Sequence, residues 1–291
     1  PNKTLYNLTV TNNSTVTLNA DATVSNTILV DAGSTLNVSS DKTLTLNSGI
    51  ALNGTLDLKS NATLKTGGNI SAASGSAFKI SGTSQNPGGY AVIQNNGSGN
   101  YSVNLAGNVE INCGRIYHLA NAGLTLSGNG GASRTFSNTL FYAGQSSSIC
   151  YLRVTNSGWN GYNFYGLGFQ DLGPGTKSVQ INSSSSDQID MSGYSTGTGW
   201  VYGDASELET SGTINWLTST LTPVWSRSSI GAVKGGAIGD AFYAGTDKNS
   251  QELVSINPAT GATKWTFNTC LLYTSDAADD LLCVDLGGRR I

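Results

Sequence analysis

One short segment of the sequence concentrates aromatic side chains that could bind a ligand. Residues 159–169 read WNGYNFYGLGF and include Trp159, Tyr162 and Tyr165. Trp and Tyr combine an apolar ring face with a polar edge, which suits stacking on sugar rings at a binding surface. Two interpretations follow: the three rings form an exposed platform for a glycan, or they cover a wide part of the fold. The second interpretation is favoured.

Carboxylates in the second half of the chain are the other candidates for chemistry, because paired acids perform general acid–base catalysis in glycoside hydrolysis. Only Glu207 and Glu209 are spaced to share one face of a strand. A hydrolase would bring Asp171, Asp187 and Asp190 within about 5–10 Å on one concave face. Solvated acids in turns are the favoured interpretation. The acids concerned are Asp171, Asp187, Asp190, Asp204, Glu207 and Glu209.

Other kinds of catalytic or metal site have little support in the sequence. His118, the single histidine, lies in the segment IYHLAN and is expected in a turn or in the wall of the fold. Metal-binding, phosphate-binding and nucleophile motifs are absent from the sequence. Cys113 and Cys150 are expected to be buried free thiols, although one disulfide between them stays open. We therefore assign no catalytic residue, no metal site and no cofactor.

The composition excludes several classes of protein. Only 11% of the 291 residues are charged, whereas Asn, Ser and Thr total 98 and glycine 37. This mixture favours strands and turns, and it argues against an α/β enzyme or a helical bundle. The net charge of −3 argues against a nucleic-acid partner, and no apolar run approaches the ~20 residues of a membrane span. The expected fold class is all-β.

A repeat of 20 residues runs through the first part of the chain. Thr15, Thr35 and Thr55 occupy equivalent positions in similar units. Within each unit, apolar residues form i, i+2 pairs separated by turn residues, so about three short strands per unit predict one turn of a parallel β-helix, a solenoid. The predicted apolar columns are Val10, Val30, Ile50 and Ile70; Val16, Leu36 and Leu56; Leu18, Val38, Leu58 and Phe78; and Val24, Leu44 and Leu64.

The pattern becomes less regular after the first part, and this sets the predicted organisation. Between Tyr90 and Trp216 the apolar pairs continue, but their spacing is longer and uneven, which indicates wider turns of the same solenoid. The predicted segments are 1–89 with regular turns, 90–216 with wider turns, 217–269 as a second unit, and 270–291 as a tail.

The repeat region, residues 1–216, resembles secreted bacterial right-handed parallel β-helix proteins, which include adhesin stalks and polysaccharide-active enzymes. The resemblance implies an extracellular or cell-surface location. For the hydrolases of that group it also implies adjacent paired aspartates, and residues 1–269 lack such a pair.

A second resemblance rests on the spacing of tryptophans and on one motif. Trp225 and Trp265 lie 40 residues apart, and the motif A-x-[DN]-x-x-T-G-x-x-x-W ends at Trp265. Residues 222–269 thus resemble one blade of a quinoprotein-type (PQQ-like) β-propeller, whose ring usually has about 4–8 blades. The resemblance implies an incomplete propeller in which Trp265 packs on a neighbouring blade, and it implies no quinone. The motif positions are Ser255 (in place of Ala), Asn257, Thr260, Gly261 and Trp265.

The tail has a different kind of sequence. Residues 270–280, CLLYTSDAADD, and residues 284–291, VDLGGRRI, resemble the in-frame translation of two parts of a transposase-type sequencing adapter. We expect residues 270–291 to be non-biological and without an evolved function.

These features favour an extracellular structural or adhesive surface protein. The chain begins at Pro1 without a signal peptide, so we expect it to be a fragment. In this interpretation the β-helix is a stalk that presents the propeller to a surface glycan or a protein. The alternative is a polysaccharide-active β-helix enzyme, either a lyase or a glycoside hydrolase.

Overall fold

A computed structural model describes residues 3–83, 89–97, 99–144, 149–196, 198–217, 233–238, 242–246, 253–257 and 262–267. The described chain is all-β, apart from two short 3₁₀ turns, as the composition predicts. It divides into two units, Pro1–Ser219 and Thr220–Ile291.

The regular repeat forms short strands where the apolar pairs occur, because alternate side chains enter the core while their neighbours face water. Gly, Asn and Asp make the corners between these strands. The strands of this part are β1 (Lys3–Val10), β2 (Thr15–Leu18), β3 (Ala22–Val30), β4 (Thr35–Val38), β5 (Thr43–Leu46), β6 (Ile50–Leu52), β7 (Thr55–Lys59), β8 (Thr63–Thr66), β9 (Ile70–Ala72) and β10 (Ala77–Ser81).

The wider part continues with the same parallel arrangement. Its 3₁₀ turns lie at Ser157–Trp159 and Asp204–Ser206. Its strands are β11 (Ala91–Asn95), β12 (Tyr101–Leu105), β13 (Asn108–Asn112), β14 (Gly114–Tyr117), β15 (Leu119–Leu126), β16 (Gly130–Ser137), β17 (Leu140–Tyr142), β18 (Cys150–Val154), β19 (Tyr162–Tyr165), β20 (Gly168–Phe169), β21 (Lys177–Asn182), β22 (Gln188–Ser192), β23 (Leu208–Ser211) and β24 (Thr213–Leu217).

Parallel pairing stacks these strands into a three-sided β-solenoid of about eight turns, which confirms the predicted fold class. The long strands β1 and β3 each run through two of the three sides, since β3 pairs with both β5 and β6. Face 1 contains β5, β8, β11, β14, β17 and β20; face 2 contains β6, β9, β12, β15, β18, β21 and β23; face 3 contains β2, β4, β7, β10, β13, β16, β19, β22 and β24.

The strand register confirms the predicted column Val16, Leu36 and Leu56 in full and corrects one step in each of the other three columns by two residues. Thr15 pairs with Thr35, and Thr35 pairs with Thr55, as the repeat predicts. Where a corner gains two residues, the next strand shifts by two, which keeps its apolar side chains directed inward. The corrected pairs are Val24 with Leu46 instead of Leu44, Val30 with Leu52 instead of Ile50, and Phe78 with Leu56, so that Ile80 continues the Leu58 column.

The turns widen along the solenoid, and the core changes with them. Paired residues on face 3 are 20 positions apart at Leu36 and Leu56 but 27 apart at Phe164 and Met191. Aliphatic side chains fill the narrow turns, whereas rings fill the wide ones. The fully buried aromatic residues are Phe78, Tyr101, Phe136, Phe141, Tyr151, Trp159, Phe164 and Phe169.

Polar side chains connect successive turns on the outside of face 3. Ser39 Oγ donates to Asn19 Oδ1 at 2.6 Å, and Ser81 Oγ donates to Asp57 Oδ1 at 2.9 Å. Lys59 Nζ lies 2.6 Å from the second oxygen of Asp57, whose side chain is nearly buried. Such cross-strand pairs each contribute roughly 0.2–1 kcal/mol.

The second unit contains an antiparallel sheet of four strands in the described residues. Its order is β25-β26-β27-β28, so each strand pairs with its neighbour in sequence. The strands are β25 (Val233–Ile238), β26 (Phe242–Thr246), β27 (Leu253–Ile256) and β28 (Thr263–Phe267).

Candidate functional site

Trp159 lies in the core of the solenoid and is fully buried. Its ring stacks on Phe164 with centroids 5.5 Å apart, and its Nε1 donates to the carbonyl oxygen of Gly128 at 2.8 Å. Asn156 caps the 3₁₀ turn that carries Trp159 by accepting from the backbone N–H of Gly158. The interpretation of Trp159 as part of an exposed platform is therefore wrong, and the favoured interpretation holds for it, because a wide turn needs a large ring to fill it.

Tyr162 also belongs mainly to the packing of the wide turns. Its hydroxyl oxygen accepts from the backbone N–H of Phe136 at 2.6 Å, and its ring lies edge-on to Trp159 at 4.9 Å. The guanidinium of Arg134 lies 5.7 Å from the centroids of both rings. Burial raises the pKa of the Tyr162 hydroxyl. Trp159 and Tyr162 thus follow the alternative interpretation, in which they cover a wide part of the fold.

Tyr165 is the member of the predicted platform whose ring faces solvent, with 55% of its surface exposed. It stands on the outer side of β19, and Phe164 beside it points inward, as period-two alternation requires. A Cβ built on Gly193, in the next turn, would lie 2.6 Å from Cε2 of Tyr165 and 3.0 Å from both Cδ2 and Cζ. The ring therefore rests directly on the glycine backbone.

Polar side chains surround Tyr165 on face 3. Ser192 Oγ donates to Asn163 Oδ1 at 2.8 Å. Asp190 Oδ1 accepts from Asn215 Nδ2 at 3.0 Å and from Gln188 Nε2 at 3.4 Å. The sequence interpretation considered Asp190 only as a possible acid of a hydrolase and missed the other four residues, although the alternation in YNFY already placed Asn163 on the same side of the strand as Tyr165. Ser192 and Asp190 required the strand register, because uneven turns hide which residues are neighbours.

The acids that a hydrolase would use do not gather at one place. Asp171 precedes β21 and Asp187 follows it, so a six-residue strand of about 20 Å separates them. Asp187 is nearly buried, and hydrogen bonds from Ser157 and Ser183 lower its pKa. Asp171 and Asp187 thus lie beyond opposite ends of β21, and this pair does not converge as the hydrolase alternative would require.

Glu207 and Glu209 lie near the last turn of the solenoid. Trp216 Nε1 donates to Glu207 Oε2 at 2.5 Å, and the backbone N–H of Ile214 donates to Glu209 Oε1 at 2.5 Å. Burial raises the pKa of Glu207, and the charges of Glu209 and Asp204 act in the same direction. Glu209 thus ties β23 to β24, and Glu207 ties the corner before β23 to β24.

His118 occupies a corner, as predicted. Its backbone φ is +60°, and it separates β14 from β15. Its backbone N–H donates to the carbonyl oxygen of Tyr142 at 3.1 Å. Within the described ranges, no group of three or more His, Cys, Asp or Glu side chains is placed to hold a metal ion.

Cys113 and Cys150 are buried free thiols, so the alternative of a disulfide between them is excluded. Burial raises the pKa of Cys113 and raises that of Cys150 to about 11. Because thiolates are the reactive form, an alkylating reagent at about pH 8 is expected to leave both residues unmodified in the folded chain and to modify both in urea. Peptide-level mass spectrometry measures this, and rapid native labelling of Cys150 would contradict it.

The propeller motif lies only partly within the described residues. Asn257 follows β27, and Trp265 lies in β28 with 44% of its surface exposed. The rings of Trp265 and Tyr243 are 5.9 Å apart. Trp225, Thr260 and Gly261 fall outside the described residues, as does the whole predicted tail 270–291.

Comparisons with protein-family models, with curated proteins and with solved structures found no match to this chain. In the part of the chain that the structure describes, no helix is long and apolar enough to cross a membrane. Function is therefore inferred from the fold and from the chemistry of its surface.

Proposed function

We propose that this chain serves as an extracellular structural or adhesive surface protein. In this proposal the β-solenoid is a rigid stalk, and the second unit, interpreted as a propeller blade, meets a partner. The observation that carries the proposal is one apolar core that continues from Val10 to Ile214 without interruption. Each turn buries its side chains against the turns above and below, as in other solenoids.

The outside of the solenoid supports the same role. Threonine, asparagine and serine dominate face 3, and their hydrogen bonds link one turn to the next. At about 4.8 Å per turn, eight turns give a spacer of about 40 Å. Low charge keeps such a surface insensitive to salt, which suits an extracellular setting.

The stalk role predicts that the solenoid resists proteases in the native state. Trypsin needs an extended, unpaired backbone, whereas Lys65, Lys79 and Arg153 lie in strands that are paired on both sides at these residues. We expect trypsin to leave a solenoid fragment that ends at Arg227, the first lysine or arginine after Lys177, intact for hours, as measured by gel electrophoresis and mass spectrometry of the full chain.

A matched variant calibrates this experiment. Leu58→Asp places a carboxylate in the core, at a residue with no exposed surface, and is expected to be digested within minutes. Digestion of the unmodified solenoid at the rate of this variant would overturn the proposed stalk.

A further inference from the structure

Tyr165 presents an open aromatic face. The Cβ position of Gly193 lies above the plane of the Tyr165 ring, as its three distances to ring atoms show. If Gly193 met the edge of the ring instead, Cδ2 and Cζ would be much farther from that position than Cε2 is. One face of the ring thus lies on Gly193. With 55% of the residue exposed, the opposite face is turned to solvent.

A free donor and a free acceptor lie beside that open ring. Asn163 uses its Oδ1 for Ser192, which leaves its amide NH₂ without a protein partner among the described residues. Asp190 Oδ1 accepts hydrogen bonds from Asn215 and Gln188, whereas its Oδ2 accepts none from the described residues. Asn163 lies about 7 Å from Tyr165 along the strand, and the next turn lies about 4.8 Å away. These distances match the reach of hydroxyl groups on one sugar ring.

The charge of this surface selects the class of ligand. The outward side chains of β19, β22 and β24 carry a single charge, that of Asp190. An anionic ligand would be repelled, whereas hydroxyl groups both donate and accept and so suit Asn163 and Asp190 together. These outward residues are Asn163, Tyr165, Gln188, Asp190, Ser192, Thr213, Asn215 and Leu217.

We infer that this part of face 3 binds a neutral saccharide, with one sugar ring stacked on Tyr165 and its hydroxyl groups held by Asn163 and Asp190. Trp159 takes no direct part because it is fully buried, and Tyr162 takes none because its ring packs against Trp159 and its hydroxyl is bonded to the backbone of Phe136. The inference deepens the proposed adhesive role and rests on that role for the presence of an extracellular saccharide. It places the binding site on the solenoid rather than on the second unit.

Affinity electrophoresis of the full chain in gels that contain laminarin, galactomannan or xylan tests the site. We expect at least one of these neutral polysaccharides to retard the protein. Tyr165→Ala should weaken that binding about tenfold, and Asn163→Ala or Asp190→Ala should weaken it about fivefold. Tyr165→Phe keeps the ring and should stay within about threefold of the unmodified chain.

Tyr6→Ala is the matched control, because Tyr6 is 73% exposed on the distant strand β1. It should bind like the unmodified chain, and thermal unfolding checks that every variant is folded. The inference fails if none of the three polysaccharides retards the protein, or if Tyr165→Ala binds normally. Tighter binding to anionic polygalacturonate or to a protein partner at this site also overturns it. Resistance to trypsin does not depend on Tyr165, so the two proposals fail separately.

Discussion

Replacing Trp159 with alanine is expected to lower the free energy of unfolding by about 3–5 kcal/mol. Truncation removes a fully buried ring that packs on Phe164 and Tyr162 and leaves a cavity in a wide turn. It also removes the donor to the Gly128 carbonyl oxygen, which loses its hydrogen bond with the indole. Urea unfolding followed by far-ultraviolet circular dichroism measures the effect as a lower midpoint.

Tyr165→Ala is the matched control, since both residues belong to the same eleven-residue segment. Its ring is exposed, so we expect a change within about 0.5 kcal/mol. Equal stability losses for the two variants would contradict the assignment of Trp159 to the core and Tyr165 to the surface.

The repeat region could be predicted from sequence because its signal is both local and periodic. Alternating apolar residues indicate strands, and the 20-residue period places equal residues on top of one another, as Thr15, Thr35 and Thr55 do. Corners are harder to predict, because the insertion of two residues preserves the alternation. Val24 therefore pairs with Leu46, although the period alone aligned it with Leu44.

The candidate site depended on tertiary context. Alternation within YNFY separates Phe164 from Tyr165, but no local rule decides whether Trp159, at a corner, enters the core. The width of the turn decides this, and width emerges only from the register of several strands. The neighbours of Tyr165 on the next turn, Ser192 and Gly193, lie 27 and 28 residues away in a region without a fixed period.

The same widening that hides the site from sequence also provides it. Narrow turns are filled by Leu, Ile and Val, and their outer columns carry Thr and Asn. Wide turns need aromatic rings to fill the core. The rings of Phe141 and Phe169, for example, stack there with their centroids 5.1 Å apart. Aromatic residues therefore concentrate in this part of the chain, and one of them, Tyr165, occupies an outward position with an exposed ring.

Gly54→Ala is expected to lower the free energy of unfolding by about 3 kcal/mol, although the repeat has serine at equivalent positions. A Cβ on Gly54 would lie 2.2 Å from the carbonyl oxygen of Asp31 and 2.4 Å from that of Ser34. Both oxygens belong to backbone, so relief requires a shift of the corner and of the pairing between β4 and β7. Gly75→Ala is the control that separates this collision from backbone strain. The φ of Gly75 is +88°, and a Cβ on it would have no atom within 4 Å. Strain alone should therefore lower the free energy of unfolding by about 1–2 kcal/mol. If the urea midpoint of Gly54→Ala were equal to or higher than that of Gly75→Ala, the prediction would be wrong, because the corner would then accommodate the Cβ without disturbing the pairing of β4 with β7.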